Sequence, residues 1–252
     1  MAKIGIFDSG VGGLSVYREL KKILPDASYV YYSDNANCPY GDKSAGFVLE
    51  RARQITTFLI SKGVDIIVVA CNTATSAAIG TLRAEFDIPF VGMEPAVKPA
   101  ALGTRSGVIG VLATAGTLKG SKYLLMKSRF DEQVRIIEHV GEGFVELVEN
   151  GEFIGPHAEA VCRKALEPLL EQGADRIVLG CTHYPFLLPA LKAAAASIRP
   201  GAEVEFINPA PAVANRTREL LAGKCTEKTE GGVELISSGS PAALRRTFSF
   251  IN

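Results

Sequence analysis

The stretch GVDIIVVAC, residues 63–71, returns as GADRIVLGC at residues 173–181. Three residue pairs recur at the same spacing of 110 positions: Gly63 with Gly173, Asp65 with Asp175, and Cys71 with Cys181. The start of the chain, GIFDSG at residues 5–10, has a weaker counterpart in GVLATAG at residues 110–116. Because the two matches occur in the same order, the sequence predicts two related halves.

Short apolar runs alternate with helical patterns along the chain. We predict strands at residues 4–7, 29–32, 66–70, 90–92, 108–112, 134–137, 177–179 and 204–207. We predict helices at residues 12–24, 43–62, 73–86, 156–172 and 186–196. Apolar strands separated by helices are typical of a mostly parallel sheet covered on both faces. The predicted fold class is therefore α/β, with two similar lobes, each a parallel sheet flanked by helices.

The repeat also predicts how the chain is divided. Pro89 and Pro95 flank a short strand and punctuate the chain near its first third. We expect residues 1–95 together with 208–252 to form the first lobe, which carries Cys71. Residues 96–207 are expected to form the second lobe, which carries Cys181.

Composition excludes several classes of partner. Lys and Arg number 27, as do Asp and Glu, so the formal net charge is zero. This balance gives no electrostatic reason to expect nucleic acid or an anionic membrane as partner. The first residues lack the layout of a secretory signal, and no apolar run has the length of a membrane span. We therefore expect a cytoplasmic protein.

The five cysteines are spaced too widely for a structural framework. They are Cys38, Cys71, Cys162, Cys181 and Cys225, and no C-x-x-C pattern occurs. An odd number at wide spacing argues against disulfides and against a structural zinc site. We expect free thiols, either buried as small apolar groups or chemically reactive.

Cys71 and Cys181 each follow an apolar strand and precede a helical pattern. Ligands of parallel α/β sheets bind at the carboxyl ends of the strands, where the positive end of the next helix stabilises a thiolate. Two lobes facing each other would bring both thiols to one ligand from opposite sides. One thiolate could remove an α-proton while the other thiol delivers one, which is the chemistry of racemisation. The alternative is that both are buried core cysteines, and their repeat-related positions favour the functional interpretation.

Polar residues follow both cysteines and the first strand. Asn72 and Thr73 follow Cys71, and Thr182 and His183 follow Cys181. Such residues at a helix start can hold a carboxylate, or they can simply cap the helix. Asp8, in the glycine-rich string DSGVGGL, could orient an ammonium group, tune a thiol or cap a helix.

These strings together resemble the signatures of the glutamate racemase family. The matching segments are FDSGVGGL at 7–14, PYG at 39–41, ACNTA at 70–74 and GCTHYP at 180–185. The resemblance implies two α/β lobes with the active site between them. It implies PLP-independent interconversion of L- and D-glutamate, with D-glutamate supplied to peptidoglycan. It also allows a homodimer.

The resemblance also implies roles for individual residues. Cys71 is expected to act on D-glutamate and Cys181 on L-glutamate, assisted by Asp8 beside the first thiol and by His183 and Glu149 beside the second. A solvent-exposed helix-end carboxylate is the alternative for Glu149. Expected substrate contacts, which include two of the assisting residues, are Asp8, Ser9, Tyr40, Gly41, Asn72, Thr73, Thr114, Thr117, Thr182 and His183.

Three other functions remain as alternatives. An aspartate racemase shares the two-cysteine logic, but His183 and Asp8 favour glutamate. A two-lobed amino-acid-binding protein without chemistry would not need a cysteine at both strand ends. A thiol redox protein is disfavoured because C-x-x-C is absent. We expect no metal, because the three histidines are scattered, and no cofactor, because no lysine stands out as a PLP ligand.

Overall fold

The computed structural model describes residues 2–222 and 231–251. The chain divides into two compact units, one formed by Met1–Met93 with Ala210–Asn252 and the other by Glu94–Pro209. Cys38, Cys71, Cys162 and Cys181 are free thiols, whereas Cys225 lies outside the described residues. In the described ranges, no helix is long and apolar enough to cross a membrane.

Strands and helices alternate through both units. The strands are β1 Lys3–Asp8, β2 Ser28–Ser33, β3 Ile66–Val69, β4 Phe90–Gly92, β5 Val108–Ala113, β6 Arg135–Val140, β7 Arg176–Gly180, β8 Glu205–Ile207 and β9 Val233–Ser237. The helices are α1 Leu14–Ile23, α2 Ala45–Ser61, α3 Asn72–Glu85, α4 Val97–Gly103, α5 Ala115–Leu118, α6 Ser121–Lys127, α7 Phe144–Asn150, α8 Pro156–Leu170, α9 Leu188–Ile198, α10 Ala210–Leu220 and α11 Ala242–Ile251.

Each unit contains one parallel sheet, and the two sheets share a strand order. The first sheet runs β4-β3-β1-β2-β9 and the second runs β6-β5-β7-β8, and every strand pair is parallel. Read from the opposite edge, the second sheet repeats the order of the first four strands, with β7 in the place of β3. The predicted α/β class with two repeat-related parallel sheets is confirmed.

The repeated residues have equivalent structural roles. Gly63 and Gly173 adopt φ values of +71° and +93°, a region that glycine enters without the steric cost of a side chain. The Asp65 carboxylate accepts the N–H of Lys3 at 2.8 Å. Likewise, the Asp175 carboxylate accepts the N–H of Ser106 at 2.9 Å. Both aspartates thus tie the repeated strand to the start of its neighbour.

The central strands are buried on both faces, as continuous apolar runs predict. All four residues of β3 are fully buried. Residues of α2 and α3 pack against one face of the first sheet in a cluster that includes Phe7, Val69 and Cys71. Burial of a large aliphatic side chain contributes about 1.5–3 kcal/mol, so this core holds the strand ends in place.

The helix predicted at residues 186–196 begins two residues later than expected. Tyr184–Leu187 forms a 3-10 turn, and α9 begins only at Leu188. Pro189 has no N–H to donate to the Pro185 carbonyl, so Leu188 donates to it instead. The α-helix following Cys71, in contrast, begins at the very next residue.

Candidate active site

Cys71 lies at the carboxyl edge of the first sheet and caps α3. Its Sγ accepts the N–H of Ala74 at 3.4 Å and lies 3.8 Å from the Ser9 hydroxyl. The cysteine is 6% exposed. The N-terminus of a 14-residue helix points at the sulfur, and the helix dipole there interacts favourably with negative charge.

Asp8 and Ser9 lie beside Cys71 because β1 and β3 are neighbours. Phe7 pairs with Val69 in the register of the two strands, so both chains leave the sheet together. The Asp8 carboxylate is fully buried and accepts the N–H of Gly10 at 2.9 Å. The structure therefore places both residues at the strand end next to that of Cys71.

Gly13 allows the glycine-rich turn to pack closely over this edge. A Cβ at Gly13 would lie 2.7 Å from the Asp8 Cβ and 2.8 Å from the Tyr31 hydroxyl. The Tyr31 hydroxyl in turn donates to the Gly10 carbonyl at 2.8 Å. Glycine is therefore required for packing at this position, and the string DSGVGGL forms a rigid turn beside the thiol.

The Asn72 side chain is buried without a partner. It is 5% exposed, and neither Oδ1 nor Nδ2 has a hydrogen-bond partner among the described residues. Leaving a buried polar group unpaired costs about 1–3 kcal/mol. An amide kept at this cost, next to Cys71 at the start of α3, is available to a ligand that carries both donors and acceptors. Thr73 is also buried, at 8% exposure.

Tyr40 and Gly41 lie in a 3-10 turn, Tyr40–Asp42, beyond the end of β2. The Tyr40 hydroxyl donates to Asp34 Oδ2 at 2.5 Å, and Arg51 Nε donates to the same oxygen at 2.9 Å. Burial raises the pKa of Tyr40 far above its ordinary value, and the hydrogen bond to Asp34 adds to this effect. The tyrosine thus stays protonated and anchored.

Cys181 lies at the equivalent position in the second unit, but its partners are different. His183 Nδ1 lies 3.7 Å from its sulfur, and His183 Nε2 lies 2.7 Å from Glu149 Oε1. The histidine is 1% exposed. In the tautomer that carries its proton on Nε2, Nδ1 faces the sulfur as a hydrogen-bond acceptor.

The structure places Glu149 in contact with His183. The residue lies in the last turn of α7, and its side chain is 19% exposed. Its carboxylate is bonded to a buried histidine rather than solvated on a helix end. The Cys181 sulfur, the His183 ring and the Glu149 carboxylate therefore form a continuous series of contacts between titratable groups.

The remaining residues of the second unit lie at the same sheet edge. Ala113 pairs with Gly180, so Thr114 leaves β5 beside Cys181. Thr114 caps α5, and its hydroxyl lies 3.0 Å from that of Thr117. Thr182, directly after Cys181, is 3% exposed. The structure therefore brings the paired threonines to the edge that carries the second thiol.

Cys162 illustrates what a structural cysteine looks like in this chain. It is fully buried in α8. Burial, followed by the charge of Glu159, raises the pKa of its thiol to about 12. The sulfur atoms of Cys71 and Cys181 instead have a polar group within hydrogen-bond reach. It is the Ala74 N–H for Cys71 and Nδ1 of His183 for Cys181.

Sequence reasoning did not identify Asp34 and Arg51. Asp34 directly follows the apolar strand β2, at the edge where parallel sheets bind ligands. Its position directly after an apolar strand was therefore the one sequence feature that could have marked Asp34 as a candidate site residue. Arg51 lies 17 positions further on in α2, and no local pattern links it to Asp34.

The chain is similar to known racemases over nearly its whole length. Residues 4–217 match the model of the Asp/Glu/Hydantoin racemase family. The glutamate racemase of Methylococcus capsulatus is 46% identical over 95% of this chain and 87% of its own. The structure of Escherichia coli glutamate racemase with L-glutamate and the activator UDP-MurNAc-ala is 34% identical. It has a TM-score of 0.88 and covers 100% of this chain and 95% of its own.

A third similar structure is glutamate racemase from Francisella tularensis in complex with D-glutamate. It is 28% identical, with a TM-score of 0.82 over 99% of this chain and 93% of its own. The fold, the strand-end cysteines and these matches agree with one another. The chain therefore belongs to the Asp/Glu/Hydantoin racemase family, and its activity is that of an isomerase.

Proposed function

We propose that the chain interconverts L- and D-glutamate by moving the α-proton between Cys71 and Cys181. In this proposal one cysteine is thiolate and removes the proton, while the other is thiol and protonates the opposite face. Cys71 takes the proton from D-glutamate and Cys181 takes it from L-glutamate. The roles exchange with the handedness of the substrate.

One observation carries the proposal. Two buried thiols end equivalent strands of two repeat-related sheets, and each has its own partner for the thiolate form. A base that must also act as an acid needs both protonation states close in free energy. The cap of α3 supplies this balance for Cys71, with Asp8 close by. The relay through His183 and Glu149 supplies it for Cys181.

Substrate contacts follow from the polar groups around each thiol. The unpartnered Asn72 amide can bind the ammonium or a carboxylate of an amino acid, and the neighbouring α3 N-terminus favours a carboxylate. The further contacts proposed are Ser9, Tyr40, Gly41, Thr73, Thr114, Thr117, Thr182 and His183. The E. coli and F. tularensis enzymes were solved with L- and D-glutamate bound, which supports glutamate as the substrate here.

A circular-dichroism assay tests the substrate and the lack of cofactor together. Purified protein, dialysed without PLP and treated with a chelator, is incubated with L-glutamate or with L-aspartate. The proposal predicts that the signal of L-glutamate decays to zero and that the signal of L-aspartate persists. Decay of the L-aspartate signal alone would identify the activity as aspartate racemisation. Activity that returns only with added PLP or metal would contradict the cofactor-free mechanism.

Two matched variants test the roles of the thiols. Cys71→Ala and Cys181→Ala should each abolish racemisation, because one face then lacks its acid or base. Cys162→Ala is the control and should retain activity. If either Cys71→Ala or Cys181→Ala racemises glutamate at the wild-type rate, that thiol is not part of the mechanism.

The product also has a proposed destination. D-glutamate is a component of peptidoglycan, so we propose that the chain supplies D-glutamate for cell-wall synthesis. Expression of this gene in a bacterium that requires added D-glutamate tests the proposal. Growth without the supplement is expected for wild type, and no growth is expected for Cys71→Ala.

A further inference from the structure

Asp34 is a buried carboxylate at the end of β2 that accepts hydrogen bonds from several side chains. It is fully buried, and Arg51 grips it with two bonds, Nε to Oδ2 at 2.9 Å and Nη2 to Oδ1 at 2.7 Å. Asn37 Nδ2 lies 3.2 Å and 3.1 Å from the two oxygens. Tyr40 completes the set with a bond of 2.5 Å.

The Asp34 carboxylate is held in its ionised form. Burial by itself would raise the pKa of Asp34, but the hydrogen bonds from four side chains, Arg51, Tyr40, Ser238 and Asn37, together outweigh it and hold this pKa below its ordinary value. An ionised carboxylate can only accept hydrogen bonds. The single hydroxyl proton of Tyr40 is therefore committed to Asp34, and the phenol cannot rotate it elsewhere.

The ring of Tyr40 connects Asp34 and its hydrogen-bond partners, together called the anchor, to the sheet edge that carries Cys71. Tyr40 is 1% exposed and packs in the same apolar cluster as Cys71 and Ala74. The backbone N–H of Asp34 also donates to the carbonyl of Asp8 at 2.9 Å. Asp34 and Tyr40 thus contact the same sheet edge that carries Cys71 and Asp8.

We propose that Asp34 and Arg51 are positioning residues for the racemase reaction, because together they hold Tyr40 and the turn that contains Gly41 in the substrate-binding geometry. This inference rests on the proposed function, in which Tyr40 and Gly41 contact the amino acid. Neither Asp34 nor Arg51 needs to touch the substrate.

The ion pair has a second consequence for a substrate that carries two carboxylates. A lone buried carboxylate at this edge would repel the carboxylates of glutamate. Arg51 offsets that charge, so the anchor is electrically neutral as a unit. A neutral pair can hold Tyr40 in place without repelling the substrate, whereas a single buried aspartate would repel the substrate carboxylates.

A set of variants with a matched control tests the inference. Asp34→Asn removes the charge and keeps the shape, and Arg51→Lys keeps the charge and loses the two-pronged grip. Tyr40→Phe removes only the hydroxyl. The control is Arg53→Lys, because Arg53 grips Glu85 with the same two-pronged geometry from the same helix but is far more exposed. KM and kcat for glutamate are measured in both directions, with circular dichroism to show folding.

The expected result is a rise in KM with little change in kcat. Asp34→Asn should raise KM about tenfold or more, which is the effect of losing hydrogen bonds to a charged group. Arg51→Lys should have a smaller effect of the same kind. In the Tyr40→Phe background, Asp34→Asn should add less than about twofold, since the two act through one bond. Arg53→Lys should leave both parameters unchanged.

Other outcomes separate the possible failures. If folded Asp34→Asn and Arg51→Lys keep the wild-type KM, or if the Asp34 and Tyr40 effects simply multiply, the inference is wrong. If Asp34→Asn does not fold, Arg51→Lys and Tyr40→Phe decide by the same criterion. The wild-type protein is assayed first. If it does not racemise glutamate, the proposed function itself is wrong, and this is known before any variant is compared.

Discussion

The relay beside Cys181 predicts an effect on one hand of the substrate only. Glu149→Gln keeps the size of the side chain but removes the charge that holds His183 at 2.7 Å. The imidazolium formed when Cys181 loses its proton then lacks its counter-charge. Every step in which Cys181 must be a thiolate should become slower, whereas proton removal by Cys71 should not.

The magnitude follows from the bond that is lost. A hydrogen bond between charged groups contributes about 1.5–3 kcal/mol. Because 19% of the Glu149 side chain is exposed, the lower end of that range applies. A loss of about 1.5 kcal/mol slows a step about tenfold.

Racemisation itself cannot show this asymmetry. The two enantiomers have equal free energy in water, so kcat/KM must be the same in both directions for every variant. Elimination of HCl from a β-chloro analogue of glutamate avoids the constraint, because it requires removal of the α-proton but no delivery to the opposite face. Initial elimination rates are therefore compared for the L- and D-handed analogues.

Glu149→Gln should slow elimination from the L-handed analogue about tenfold and leave the D-handed rate within about twofold. The control is Glu152→Gln, because Glu152 also pairs with a histidine at 2.7 Å, His157, but at an exposed position. Equal slowing for both hands would refute the assignment of the relay to Cys181. An effect of Glu152→Gln as large as that of Glu149→Gln would show that surface charge alone is responsible.

Three further predictions concern stability. Asn72→Leu should raise the melting temperature by several degrees, because it removes an unpaired buried amide costing about 1–3 kcal/mol, and should lower kcat/KM; a less stable, fully active variant would contradict this. Gly13→Ala should cost about 1–3 kcal/mol by overpacking, whereas Gly80→Ala, in open space within α3, should be neutral or stabilising; urea unfolding compares them. Because the folded-state pKa of Asp34 is lowered, its pair with Arg51 stabilises the fold above pH about 4 and loses this effect as the pH falls further. Urea unfolding from neutral to acid pH should thus show the difference between wild type and Arg51→Gln shrinking in acid, and a constant difference would contradict the linkage.

The sequence was sufficient for the repeat and for eight of the nine described strands. Continuous apolar runs such as residues 66–70 can be satisfied only by burial on both faces, so β3 and β7 were predictable. Strand β9, Val233–Ser237, went without a prediction. It lies at a sheet edge, and its residues are partly exposed, so the strong apolar pattern of a central strand is absent.

Local chemistry explains where the site departed from the prediction. Two prolines convert the segment after Cys181 into a 3-10 turn, although the cysteine follows its strand as expected. Glu149 was predicted from a motif, but its contact with His183 depends on how α7 packs against the turn after β7. The pairing of Asp34 with Arg51 likewise depends on packing between a strand end and α2. Such contacts have no signature in local sequence.

Labelling in D₂O tests the central claim most directly. Wild type is incubated with L-glutamate, and α-deuterium is measured in both enantiomers at early times. If two thiols serve opposite faces of one α-carbon, the D-glutamate formed carries deuterium while the remaining L-glutamate stays almost unlabelled. Deuterium appearing in L-glutamate as fast as D-glutamate forms would mean that a single base serves both faces, and the two-thiol account would be wrong.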